Sequence, residues 1–183
     1  MKIKRLASII IFASLSITHV VNSQMLRRED LNSSSELQQM MHDILKKLGE
    51  NALSIQKTPI LLCASKVVEN KHYIADRLKV TLANLSNDNL AKIRSLDHYL
   101  KSSNGKSLLI AFQYSLSISS LQKIKERDDK LAQLMQAANP PAKINQDLNY
   151  FLTIISNTNT VDLMNKYFKS SGGSCSKISL SAI

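Results

Sequence analysis

Beyond His19, the residues whose types could carry chemistry are His42, His72 and His98, the cysteines Cys63 and Cys175, and the triplet Gly105-Lys106-Ser107. The triplet matches the end of a phosphate-binding loop, whose backbone amides cradle phosphate oxygens. The full motif needs a glycine five residues earlier and a strand before it. That position is Leu100 and no strand-like run precedes it, so the triplet reads as a helix boundary. None of the three histidines lies three or four residues from another, so no single helix offers a pair of imidazoles to a metal. Asp97-His98 and His72 with Asp76 are acid–imidazole pairs of the surface type. Neither cysteine sits in a local signature of a thiol nucleophile. Glu126, Asp128 and Asp129 alternate with Lys125, Arg127 and Lys130, the pattern of an exposed, salt-bridged face. These residues supply no nucleophile, metal-ligand set or cofactor cradle, and the sequence therefore points to a non-enzymatic protein without cofactor or metal.

The start of the chain carries the clearest signal. Lys2, Lys4 and Arg5 precede an apolar run over residues 6–17, and Val21-Asn22-Ser23 closes the segment. A basic start, an apolar core of this length and small residues before the scissile bond are what signal peptidase reads. The expectation is a signal peptide over residues 1–23, cleaved after Ser23, and a secreted product. A spanning helix needs about 20 apolar residues, so no stable membrane insertion is expected. Residues 24–183 form one domain's worth of chain. Removal of three leader bases lowers the formal +10 to +7, dispersed along the chain. A nucleic-acid binder clusters its bases to neutralise several phosphates together; the spread here argues against one. In an oxidising compartment Cys63 and Cys175 are expected to form an intramolecular disulfide. Closing so long a loop adds about 4–5 kcal/mol in the chain-entropy model.

Helical periodicity organises the rest. Residues 24–32 are charged, poor in apolar side chains and expected as a flexible lead-in containing the dibasic pair Arg27-Arg28. Ser33 with Glu36 fits a capping box, opening a helix with Leu37, Met40, Met41, Ile44, Leu45 and Leu48 on one face. Lys46 and Lys47 suit its last turn, and Gly49 its left-handed cap. Further helices are expected over residues 60–83 (Ile60, Cys63, Val67, Ile74 and Leu78 inward, with Lys71 interrupting the stripe), 90–100, 107–138, 144–155 and 161–169. In the long 107–138 segment the stripe includes Leu109, Phe112, Leu116, Leu121, Ile124, Leu131, Leu134 and Met135, and its charged middle over residues 123–130 reads as a solvated turn or as a helix protruding past its neighbours. Pro140-Pro141 ends that segment, because proline lacks the amide donor and clashes with the preceding turn. No stretch alternates with a two-residue period. The predicted fold is all-α: a bundle of five or six amphipathic helices over residues 33–169, followed by a Gly/Ser linker and tail over residues 170–183.

Asn32-Ser33-Ser34 and Asn84-Leu85-Ser86 are N-glycosylation acceptor patterns, making Asn32 and Asn84 the expected glycan positions in a eukaryotic secretory pathway. A leader followed by capped amphipathic helices and one long-range cystine resembles the helical cytokine architecture. Gln24-Met25-Leu26-Arg27 followed by Glu29-Asp30 resembles a degenerate RxLR-type translocation motif of oomycete effectors, with glutamine in place of the first arginine and no tryptophan for the Trp/Tyr-type effector fold. Both resemblances imply a secreted ligand or virulence effector. The reading is a monomeric secreted protein that binds another protein; the alternative is a carrier of a lipid or small apolar ligand between its helices, and a third reading is an enzyme with an unrecognised site.

Overall fold

A computed structural model describes residues 27–117 and 124–181. The expected leader and cleavage site lie outside the described residues, as do residues 118–123 and the side chains of Arg27, Ile124, Lys125, Glu126 and Arg127. The helices are α1 (Arg27–Asn32), α2 (Ser35–Ile55), α3 (Pro59–Val68), α4 (Lys71–Ala83), α5 (Asn87–Leu100), α6 (Ser103–Ser117), α7 (Ile124–Ala138), α8 (Ala142–Asn157) and α9 (Val161–Ser170), with a 3-10 turn at Cys175–Lys177. No strand occurs among the described residues, and the all-α expectation stands. The helix number does not: eight helices of ten residues or more follow the six-residue α1, where five or six were expected.

Two expected helices are each divided. The 60–83 segment breaks after Val68, because the Asn70 side chain accepts the His72 amide at 2.9 Å and starts α4 anew. The local side-chain bond competes with continuing the helix. The 107–138 segment holds two helices, α6 and α7, packed against each other, and residues 118–123 between them lie outside the described residues. Its start is also earlier, since Ser102 Oγ accepts the Gly105 amide at 3.0 Å and caps α6. At the front of α2 the cap is Ser34, not Ser33: Ser34 Oγ accepts the Leu37 amide at 3.3 Å. Gly49 ends nothing, and α2 runs to Ile55. Pro140-Pro141 does separate α7 from α8, with Asn139 in the left-handed region at φ 42°.

The expected flexible lead-in is corrected as well. Residues 27–32 form α1, with Leu31 only 2% exposed against the main core. Arg28 Nη2 donates to the Leu85 carbonyl at 2.9 Å, satisfying an acceptor at the end of α4. One leucine and one long side chain dock a segment whose composition is otherwise polar.

Two apolar clusters hold the molecule. The main one gathers Leu37, Met40 and Met41 of α2, Leu78 and Leu82 of α4, the α5 stripe Leu90-Ile93-Leu96-Leu100, and Phe151 of α8. The second joins Cys63 and Val67 of α3, Tyr73 and Ile74 of α4, Tyr167 and Phe168 of α9, and Cys175. Helix α4 contributes to both. Each fully buried large side chain contributes roughly 1.5–3 kcal/mol. Arg77 secures the junction: Nη1 donates to Tyr73 Oη at 2.9 Å and Thr160 Oγ1 at 3.2 Å, and Nη2 to the Ile155 carbonyl at 3.3 Å. A cation beside the last carbonyls of α8 also complements that helix's dipole.

The Cys63–Cys175 disulfide, with Cα atoms 5.6 Å apart, closes the second cluster. Beyond it the tail is irregular but held. Asn165 grips it by accepting the Leu180 amide at 2.7 Å and donating to the Leu180 carbonyl at 3.0 Å. Three side chains expected inward are solvent-facing instead: Leu48, Ile60 and Met135. Leu48 and Ile60 sit near the far end of the α2–α3 hairpin, where the stripe continues after its neighbours have stopped.

Candidate functional site: a polar cleft between α1–α2 and α5

The face of α5 that packs on the main core carries one carboxylate, Asp97, between Leu96 and Leu100. It is 8% exposed. A buried carboxylate must be paired or hydrogen-bonded to persist, and this one has two donors. Ser34 Oγ donates to Oδ1 at 2.5 Å, and Lys101 Nζ donates to Oδ2 at 2.9 Å. Lys101 stands one turn after Asp97 on α5, the spacing that brings side chains together on a helix. The hydrogen bond to Asp97 is the main influence holding the Lys101 ammonium above its usual range.

These groups floor an open cleft of about 670 Å³, walled by Asp30 and Glu36 on the α1–α2 side and by Arg94 and His98 on α5. Glu36 accepts from the Ser35 hydroxyl at 3.0 Å. His98 is exposed. Arg94 Nε is buried and has no hydrogen-bond partner among the described residues. The cleft thus presents both signs of charge within a few side-chain lengths.

Its floor is a structural tie between α2 and α5. A serine nucleophile needs a base that takes its proton and later returns it to a leaving group. Here the Ser34 hydroxyl donates straight to a carboxylate and also accepts the Leu37 amide as the α2 cap. The hydroxyl is committed at both ends, and the His98 ring takes no part in these bonds.

The other expected positions are scattered. Gly105-Lys106-Ser107 lies within α6, not in a loop. The His72–Asp76 pairing is not formed: Asp76 instead accepts from Tyr167 Oη at 3.0 Å and Lys166 Nζ at 3.3 Å. Burial, aided by this acceptor, pushes the Tyr167 hydroxyl up to about 12, so it remains a neutral donor. The Asp97-His98 pairing gives way to Asp97–Lys101. His42 Nδ1 lies 3.3 Å from Asp43 Oδ1. No group of three or more potential metal ligands occurs among the described residues. In the charged run, Asp128, Asp129 and Lys130 are exposed, and Lys130 Nζ lies 5.0 Å from the centre of the Tyr114 ring.

The two sequons differ in setting. Asn84 is exposed at the end of α4, and Ser86, also exposed, caps α5. Asn32 is folded in: its carbonyl accepts from Gln38 at 3.1 Å, and Ser34 of the same sequon is 3% exposed.

No family model, curated protein or solved structure matches the chain.

Proposed function

We propose that the protein is exported and acts by binding another protein, not by catalysis, with the α1–α2/α5 cleft as its contact surface. The observation that carries this reading is the cleft's lining. It is open, it displays Asp30 and Glu36 opposite Arg94 and His98, and its hydroxyl and buried carboxylate are locked to each other. Charged walls of both signs suit a polar protein segment, whose own charges and backbone groups fix register and exclude wrong partners. An apolar ligand needs an enclosed apolar site, whereas each described cavity is open and has charged residues in its lining. The Cys63–Cys175 bond supports passage through an oxidising compartment, and among the described residues no helix is long and apolar enough to cross a membrane.

Crosslinking of the exported protein on intact cells tests the reading. Asp30 and His98 are exposed and lie outside the Ser34–Asp97–Lys101 set, so Asp30→Lys combined with His98→Glu reverses the walls and spares the floor. Capture of one discrete protein is expected, reduced about tenfold or more in the double variant, the scale of losing one close charge pair at an interface. Equal capture by the variant, or recovery of a lipid and no protein, contradicts it.

A further inference from the structure

We propose that the tip of the α2–α3 hairpin docks on the surface of an anionic lipid bilayer. The inference begins with a stripe that outruns its core. Along α2 the inward positions Leu37, Met41, Leu45, Leu48, Ala52 and Ile55 recur at helical spacing. Exposure rises along it from 0% at Leu37 and Met41 to 58% at Leu48 and 88% at Ile55. The facing stripe of α3 does the same in reverse, from 2% at Val67 and 4% at Cys63 to 43% at Ile60. Leu62, on another face of α3, adds a further apolar side chain at 47% exposure. Residues 54–57, 59 and 60 are all exposed, and none of the described cavities is lined by them. The end of the hairpin is thus a protrusion with apolar side chains on more than one side.

Charge selects the occupant. From residue 44 to residue 69 the chain carries Lys46, Lys47, Lys57 and Lys66 against Glu50 and Glu69. Lys46 lies 3.7 Å from Glu69 and Lys47 3.9 Å from Glu50, so the net excess is two cations, and Lys57 and Lys66 are exposed. A second copy of this chain would oppose lysine to lysine. A groove-forming protein partner grips a ridge along its length, but this feature is a tip, apolar at its end and basic around its base. An anionic bilayer accepts both parts: apolar side chains sink about 5–10 Å into the headgroup boundary, and each lysine near the surface strengthens binding about fivefold. The tip lies at the opposite end of α2 from the cleft, on the order of 30 Å away along a 21-residue helix, so a protein and a membrane can be engaged together.

Vesicle co-sedimentation decides the matter, using the oxidised secreted product without its basic, apolar leader and its variants side by side, with vesicles of phosphatidylcholine alone or with about one-third phosphatidylserine. Ile55→Ser with Ile60→Ser should lower partitioning onto the anionic vesicles about tenfold or more. Lys57→Glu with Lys66→Glu should lower it at least about 25-fold on anionic vesicles and leave the neutral ones unchanged. All four positions are exposed, and an unchanged thermal midpoint confirms the fold. Variants that partition like the parent overturn the proposal. So does loss of a crosslinked protein partner in the tip variants without any loss of vesicle binding, which would make the tip a protein surface. Cleft variants that lose their protein partner but keep vesicle binding sink neither claim's counterpart: they support both sites as separate.

Discussion

Gly105→Ala is expected to destabilise the protein by more than about 4 kcal/mol, a loss reserved for severe packing conflicts. The sign is informative, because helix propensity alone predicts the opposite. Gly105 lies in the first turn of α6 and is not among the glycines with positive φ, so alanine would ordinarily gain about 1 kcal/mol there. The opposing effect is steric. A Cβ at this position would overlap the Tyr99 carbonyl oxygen and crowd the Leu100 Cα. Both are backbone atoms and cannot swing aside. Relieving the clash means moving the end of α5, where Leu100 is fully buried in the main cluster and Asp97 is bound by Ser34 and Lys101. The mutation should therefore damage the floor of the cleft as well as stability. Urea unfolding of parent and variant measures it; a variant with a higher midpoint would mean that α5 and α6 do not approach as closely as described.

The second large effect is expected from removing the cystine. Cys63→Ala with Cys175→Ala should cost about 2–5 kcal/mol, the range for a native disulfide and consistent with the long loop it closes. Against a total stability of 5–15 kcal/mol for a typical domain, that is a large share. The damage should be local at first. Cys175 anchors the tail against α3 and α9, where Val67, Tyr167 and Phe168 are covered, so amide exchange should rise over residues 172–181 before it rises in α5. The Asn165–Leu180 hydrogen bonds are then the remaining hold on the tail. An unchanged unfolding midpoint, or faster exchange spread evenly over α5 and α8, would contradict the division into two clusters.

How far these features were legible in the sequence depends on how local their causes are. The all-α class, the front of α2 to within one residue and the stop at Pro140-Pro141 rest on periodicity, capping and proline geometry, which act within a few residues. The cystine followed from there being only two cysteines in a chain expected to be exported. The break at Asn70 was missed although Lys71 interrupts the apolar stripe there. One polar position does not end a helix in a periodicity count, and the asparagine's competing bond to the His72 amide carries no weight in it. The division into α6 and α7 was legible only as one of two readings, a solvated turn in the charged stretch 123–130. That stretch is helical from Ile124 on, because alternating charges suit an exposed helix face as well as a turn. Leu48 and Ile60 show a deeper limit. Periodicity identifies which face of a helix is apolar, yet where the neighbouring helices end is a property of the assembled fold. The cleft had one visible hint, a carboxylate on the inward stripe of α5 at Asp97. Its partner Ser34, 63 residues away, is a contact only the tertiary structure can name.

The proposed mode of action presupposes that the chain leaves the cell and is oxidised on the way. The most direct check is the intact mass of the protein recovered from the medium of expressing cells, alkylated without reductant. The expected species begins at Gln24 and carries no alkyl group on either cysteine. A product that stays in the cell beginning at Met1, or one with both thiols alkylated, would contradict the account at its base.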